Sequence, residues 1–173
     1  MIKYIVMDCL SMIKYVPYGA AMGVFLFIAF LRITDRVGRP RGIKRRAVVP
    51  VMLFWVYVSV MLIITFFSRE SGSRQGMDLE LFSTWGINDR NNAYVVENVL
   101  LFIPYGFLGA WTSGRLRRIL SCGVFGFLTS VGIESLQLVT RRGFFQIDDI
   151  LTNTLGTVIG CGIFCIIFHN KKD

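Results

Sequence analysis

The chain has 173 residues, 54% of them hydrophobic, and a net charge of +8. The apolar residues gather in runs of about twenty, the length that crosses a bilayer core, which argues for one membrane domain and against an ordinary soluble helical one. The basic residues fall between the runs, so the charge reads as an orientation signal and not as a nucleic-acid surface.

Residues 1–14, M-I-K-Y-I-V-M-D-C-L-S-M-I-K, read as a short amphipathic helix interrupted by Lys3, Asp8 and Lys14. It fits an interfacial helix or the start of the first span. No A-x-A-like site follows, so a cleaved leader is not expected. The first span covers about 15–33, with Pro17 in its first turn, where proline is tolerated. The second covers about 47–67. The third covers about 93–113, with Pro104 inside it and a kink expected there. The fourth and fifth cover about 119–140 and 147–168. The expected fold class is all-α: a polytopic membrane helix bundle of five spans plus the N-terminal helix, in a single domain over 1–173.

Arg32, Arg36, Arg39, Arg41, Lys44, Arg45 and Arg46 lie between the first two spans, Arg115, Arg117 and Arg118 between the third and fourth, and Lys171 and Lys172 in the tail. By the positive-inside rule that side is cytoplasmic, which puts the N-terminus outside and the C-terminus inside. The outer segment 68–92 is turn-rich in its first half, and its apolar residues Met77, Leu79, Leu81, Phe82 and Trp85 can rest on the membrane surface or cap the bundle. Among the cysteines, Cys9, Cys122, Cys161 and Cys165, none has a metal-ligand spacing, and Cys161 and Cys165 read as small core hydrophobes. The lone histidine, His169, stands beside the tail lysines, which argues against a Ser–His–Asp triad and a His-rich zinc site.

Polar residues inside the spans point to function, because each is unfavourable in hydrocarbon. Ser130, Glu134, Gln137 and Arg141 recur at intervals of 4, 3 and 4 in the fourth span, so helical spacing puts them on one face. Asp149, Asn153, Gly156 and Gly160 repeat that spacing in the fifth, with Asp148 flanking. Glu97 and Asn98 lie one turn into the third span, and Ser68 and Arg69 end the second. All fall at the outer end of the predicted bundle. Glu134 is six residues before the end of its span at Thr140, roughly 9 Å deep at 1.5 Å per residue. A carboxylate there calls for a cationic partner, and Arg69, Arg141 and Arg142 are at hand. Simpler roles stay open: Asp148 also suits a helix cap, Arg141 and Arg142 suit interfacial anchors, and the G-x-x-x-G pair of Gly156 and Gly160 suits close helix packing.

At these residues the chain resembles the VanZ-like membrane proteins, a family named for a teicoplanin-resistance protein. The resemblance rests on E-N-V-L-L-F-I-P-Y-G-F (97–107), on S-V-G-I-E-S-L-Q-L (130–138), and on the run from Arg142 through Asp148, Asp149 and Asn153 to Gly156. Gln146 stands where the family pattern usually has an acid, and the loop after Arg69 lacks the usual proline. The resemblance implies a multi-pass protein of the bacterial cell membrane that lowers susceptibility to lipid-tailed glycopeptides.

Two functional readings follow. In the first, Arg69, Glu97, Asn98, Ser130, Glu134, Gln137, Arg141, Arg142, Asp148, Asp149 and Asn153 line an outward pocket for a polar headgroup on a lipid tail, with a membrane lipid, a lipid-linked cell-wall precursor or a lipoglycopeptide as partner. In the second, Glu134 and Asp149 act as acid and base in hydrolysis or transfer on such a substrate. No cofactor fingerprint is present, while Glu134, Asp148 and Asp149 offer the oxygen ligands of a divalent cation. A proton-coupled transporter is disfavoured, because the inner halves of the spans carry almost no polar path. The oligomeric state has no sequence signature here.

Overall fold

The computed structural model describes residues 1–36, 47–67, 72 and 76–169. Its elements are helices α1 (Ile2–Met12), α2 (Val16–Arg36), α3 (Val48–Phe67), α4 (Asp89–Thr112), α5 (Ile119–Val139) and α6 (Ile147–His169), with two short strands, β1 (Met77–Asp78) and β2 (Phe145–Gln146). Short 3-10 turns join α1 to α2 (Ile13–Tyr15) and α4 to α5 (Gly114–Arg117). Five helical segments are long and apolar enough to cross a membrane. Each is a predominantly apolar helical run, and a helix pairs its backbone groups within the segment, as hydrocarbon requires. The end carrying residues 76–88 and the α5–α6 turn is called the loop end below, and the end carrying Gly114–Arg117 the arginine end.

The sequence left residues 1–14 as either an interfacial helix or part of the first span. The structure joins them to that span: the first crossing segment runs from Ile2 to Thr34, 33 residues. At 1.5 Å per residue that is about 50 Å, well beyond the roughly 30 Å of hydrocarbon. The surplus, α1, stands against the start of α4.

The tightest crossing is between α4 and α6. A Cβ on Gly156 would meet the Val99 carbonyl, one on Gly160 the Ile103 carbonyl, and one on Gly106 the Thr157 carbonyl. Three glycines thus let two backbones touch, the arrangement that G-x-x-x-G provides where lipid supplies no hydrophobic drive. One core cluster, Met61, Phe102, Tyr105 and Ile133, joins α3, α4 and α5. A second, Ala110, Cys122, Cys161 and Phe164, fills the arginine end. Cys122 and Cys161 are fully buried free thiols in that second cluster, packing as small hydrophobes. Helix α4 continues through Pro104 to Thr112, and the Tyr57 hydroxyl donates to the Leu101 carbonyl in the turn that the proline loosens.

Candidate functional site

The polar residues of α5 and α6 meet face to face at the loop end. Ser130, Glu134 and Gln137 are 0%, 2% and 1% exposed, and opposite them Asp149, Asn153 and Thr157 are 8%, 4% and 0% exposed. The Asn153 amide nitrogen donates to the Ser130 hydroxyl at 2.9 Å, which ties the two helices directly. The Gln146 N–H donates to a Glu134 carboxylate oxygen at 3.3 Å. Thr157 turns its hydroxyl back to the Asn153 carbonyl of its own helix at 2.9 Å. The side-chain carbonyl oxygen of Asn153 is buried and finds no hydrogen-bond partner among the described residues. This column is rich in acceptors, and a buried acceptor left over is a place where a donor gains a full hydrogen bond.

The helical spacing holds as far as Gln137 and then fails. Helix α5 ends at Val139, and Arg141 has φ 56°. The Arg142 N–H returns to the Gln137 carbonyl at 2.9 Å and the Arg141 N–H to the Leu138 carbonyl at 3.1 Å. This is a Schellman ending with arginine in the left-handed position that glycine usually takes. It corrects the expected fourth place on the face: Arg141 lies off the helix and exposed. Arg142 turns the other way. Its guanidinium donates to the Phe66 carbonyl at 2.8 Å and lies 5.4 Å from the Phe67 ring centroid, so it ties the end of α3 to the α5–α6 turn.

Asp148 holds the outer loop. One carboxylate oxygen accepts from the Phe82 N–H at 2.7 Å and the other from the Thr84 N–H at 3.0 Å. The short parallel pairing of β1 with β2, Met77 opposite Phe145 and Asp78 opposite Gln146, adds a second tie. The Gly72 N–H bonded to the Arg141 carbonyl at 2.8 Å adds a third. Within the loop, the Ser83 hydroxyl and the Glu80 N–H hold the Asp78 carboxyl below the usual carboxylate range. Asp148 is thus a tether at the first turn of α6, where an acid is also favoured by the helix dipole.

Glu97 belongs to a different cluster. Arg90, Tyr94 and Glu97 share one face of α4 at intervals of 4 and 3, and that face meets α1. Arg90 pairs with Asp8 at 3.1 Å and lies between the rings of Tyr4 and Tyr94, at 5.2 and 4.9 Å. The Glu97 carboxyl interacts with Asp8 and Arg90, and one of its oxygens is buried without a hydrogen bond among the described residues. The chain's N-terminal amine adds a 2.9 Å pair with Asp89. Asn98, half-buried, lies one position on, above Phe102 and Tyr105 on the face toward α3 and α5. In the sequence Asp8 stands only as an interruption of the first helix and Arg90 is not singled out, although Arg90, Tyr94 and Glu97 carry the same spacing that reveals the α5 face.

The structure therefore gathers Ser130, Glu134, Gln137, Asp149 and Asn153, with Asp148 and Arg142 bound at the same end to the loop and to α3. Ser68 and Arg69 lie outside the described residues, as do Arg39, Arg41, Lys44, Arg45, Arg46, Lys171 and Lys172. Among the described residues no group of three or more His, Cys, Asp or Glu side chains comes together to hold a metal. Asp148 and Asp149 are consecutive on a helix and project about 100° apart, and Asp148 is committed to the loop. Two shallow concavities lie elsewhere. One, about 340 Å3, is an apolar groove lined by Ile119, Gly123, Phe127 and Val158, and the other, about 360 Å3, is lined by Gly114, Arg115, Arg118 and Ser121.

Compared with known proteins, residues 54–168 match the family model described as VanZ/LLP1. The matched stretch contains the whole α5–α6 column, the loop and its Asp148 tether, and leaves out α1 and α2. No curated protein and no solved structure matches the chain.

Proposed function

The chain belongs to the VanZ/LLP1 family, and from that premise we propose that it lowers susceptibility to teicoplanin-type lipoglycopeptides by binding a polar headgroup carried on a lipid tail at the α5–α6 column. The observation that supports this reading is the column itself. A glutamate, a glutamine, an aspartate and an asparagine are held 1–8% exposed between two membrane helices, with the Asn153 carbonyl oxygen left unpaired among the described residues. Packing two helices needs none of these groups, and each is unfavourable in hydrocarbon. Glu134, Asp149 and Asn153 suit hydroxyl or amine donors, and Arg141 and Arg142 at the adjoining turn suit a phosphate or carboxylate. The column faces the extracytoplasmic side in this reading, because Arg115, Arg117 and Arg118 mark the opposite end as cytoplasmic.

The test uses cells whose glycopeptide susceptibility depends on this protein, with variants expressed to equal levels. Glu134→Gln and Asp149→Asn are each expected to return susceptibility to that of cells without the protein. Unchanged susceptibility in both variants sinks the proposal. The competing hydrolytic reading is separated by incubating purified protein with lipid extract: product made by the wild type and lost in Glu134→Gln would put catalysis in place of binding.

A further inference from the structure

We infer that the loop of residues 76–88 is a membrane-resting element whose apolar side chains occupy the headgroup–hydrocarbon boundary of the leaflet at the loop end. The inference is independent of what the column binds. Met77, Leu79, Leu81, Phe82, Trp85 and Ile87 are 64%, 61%, 53%, 73%, 60% and 66% exposed. A loop facing water normally shows the opposite pattern, with polar side chains out and apolar ones tucked under. Here, although Glu80 and Asn88 are exposed, several polar groups are tied up within the loop or against α6. The Asp78 carboxylate accepts from the Ser83 hydroxyl at 2.7 Å and the Glu80 N–H at 3.1 Å. Thr84 is buried, and the Phe82 and Thr84 N–H groups go to Asp148. Phe82 adopts φ 62°, a conformation that a bulky residue takes only when its surroundings impose it. In that conformation its N–H reaches Asp148 while its ring points away from the protein.

The position of the loop selects bilayer as the occupant. Its backbone is fixed to α6 by Asp148 and to the α5–α6 turn by the strand pair, so it stays at the level where the spans leave the membrane. The helix ends at the same level are also apolar and exposed, with Phe67 62%, Leu136 53% and Val139 78% exposed. The exposed charges beside the loop, Glu80, Asp89 and Arg141, suit the polar headgroup layer of that leaflet. Aromatic rings at this level are the usual interfacial anchors of membrane proteins.

The experiment follows Trp85 in protein reconstituted in phosphatidylcholine vesicles. Trp55→Phe with Trp111→Phe leaves Trp85 as the sole tryptophan. The wild-type minus Trp85→Phe difference spectrum gives the same reading without altering the half-buried Trp55 and Trp111 rings. Trp85 emission is expected to be blue-shifted from that of tryptophan in water, and to be quenched more by lipids brominated near the headgroup than by lipids brominated at the chain ends. Emission like that of tryptophan in water, insensitive to both lipids, would overturn the inference. Protection that ignores bromine but grows with the protein-to-lipid ratio would also overturn it, by assigning the surface to a second copy of the chain.

Discussion

The α5–α6 column and the α1–α4 cluster both place carboxylates at the loop end of the bundle, yet they are shielded to different degrees. In the α1–α4 cluster a cation is supplied: Arg90 pairs with Asp8, lies between two tyrosines and leaves its side chain 37% exposed. In the column Glu134 accepts from the Gln146 N–H, Asn153 donates to Ser130, and the side chains are all but sealed. The first arrangement is what docking a helix at a wet interface requires, and screening keeps such pairs weak. The second places charge-bearing groups where electrostatics are strong, and each region holds one buried acceptor, on Glu97 and on Asn153, without a hydrogen bond among the described residues. The proposed function rests on the more deeply buried of the two regions, the column.

That contrast can be broken at its strongest joint first. Asp148→Ala removes two charge-assisted hydrogen bonds to the loop, worth together about 3 kcal/mol or more. Hydrogen exchange at Phe82 and Thr84 is expected to accelerate accordingly, while exchange in the α4–α6 crossing stays slow. Ser130→Ala deletes the direct link to Asn153 and is expected to lower stability by about 1 kcal/mol, read as a drop in the thermal midpoint of detergent-solubilised protein. If Ser130→Ala is neutral, the column is looser than its burial implies. Arg90→Leu removes the exposed clasp and is expected to cost less than about 1 kcal/mol overall, while making Lys3 and Lys14 cut faster by trypsin. Loss of glycopeptide protection in Arg90→Leu comparable to Glu134→Gln would erase the distinction between the two regions.

Much of the column was legible because helical spacing is a local property. Ser130, Glu134 and Gln137 needed only a 3.6-residue period to be placed together. Arg141 was misplaced by the same rule, because a Schellman ending leaves little trace when the left-handed residue is not glycine. Asp148 read as a helix cap or a site residue, and its bonds to Phe82 and Thr84 depend on a loop of no regular periodicity.

The sequence by itself determined the five crossing segments, since apolar run length and backbone satisfaction in hydrocarbon leave few alternatives. Its spacings also set the polar faces of α5 and α6. Only the tertiary structure decided which polar group meets which. Asp8 finds Arg90 across 82 positions, Arg142 finds the Phe66 carbonyl across 76, and Asp148 finds the Phe82 and Thr84 amides across 66 and 64. Those pairings follow from where the glycine-built α4–α6 crossing sets the helices, and from the joining of α1 to the first span. Both are properties of packed surfaces that no single segment carries.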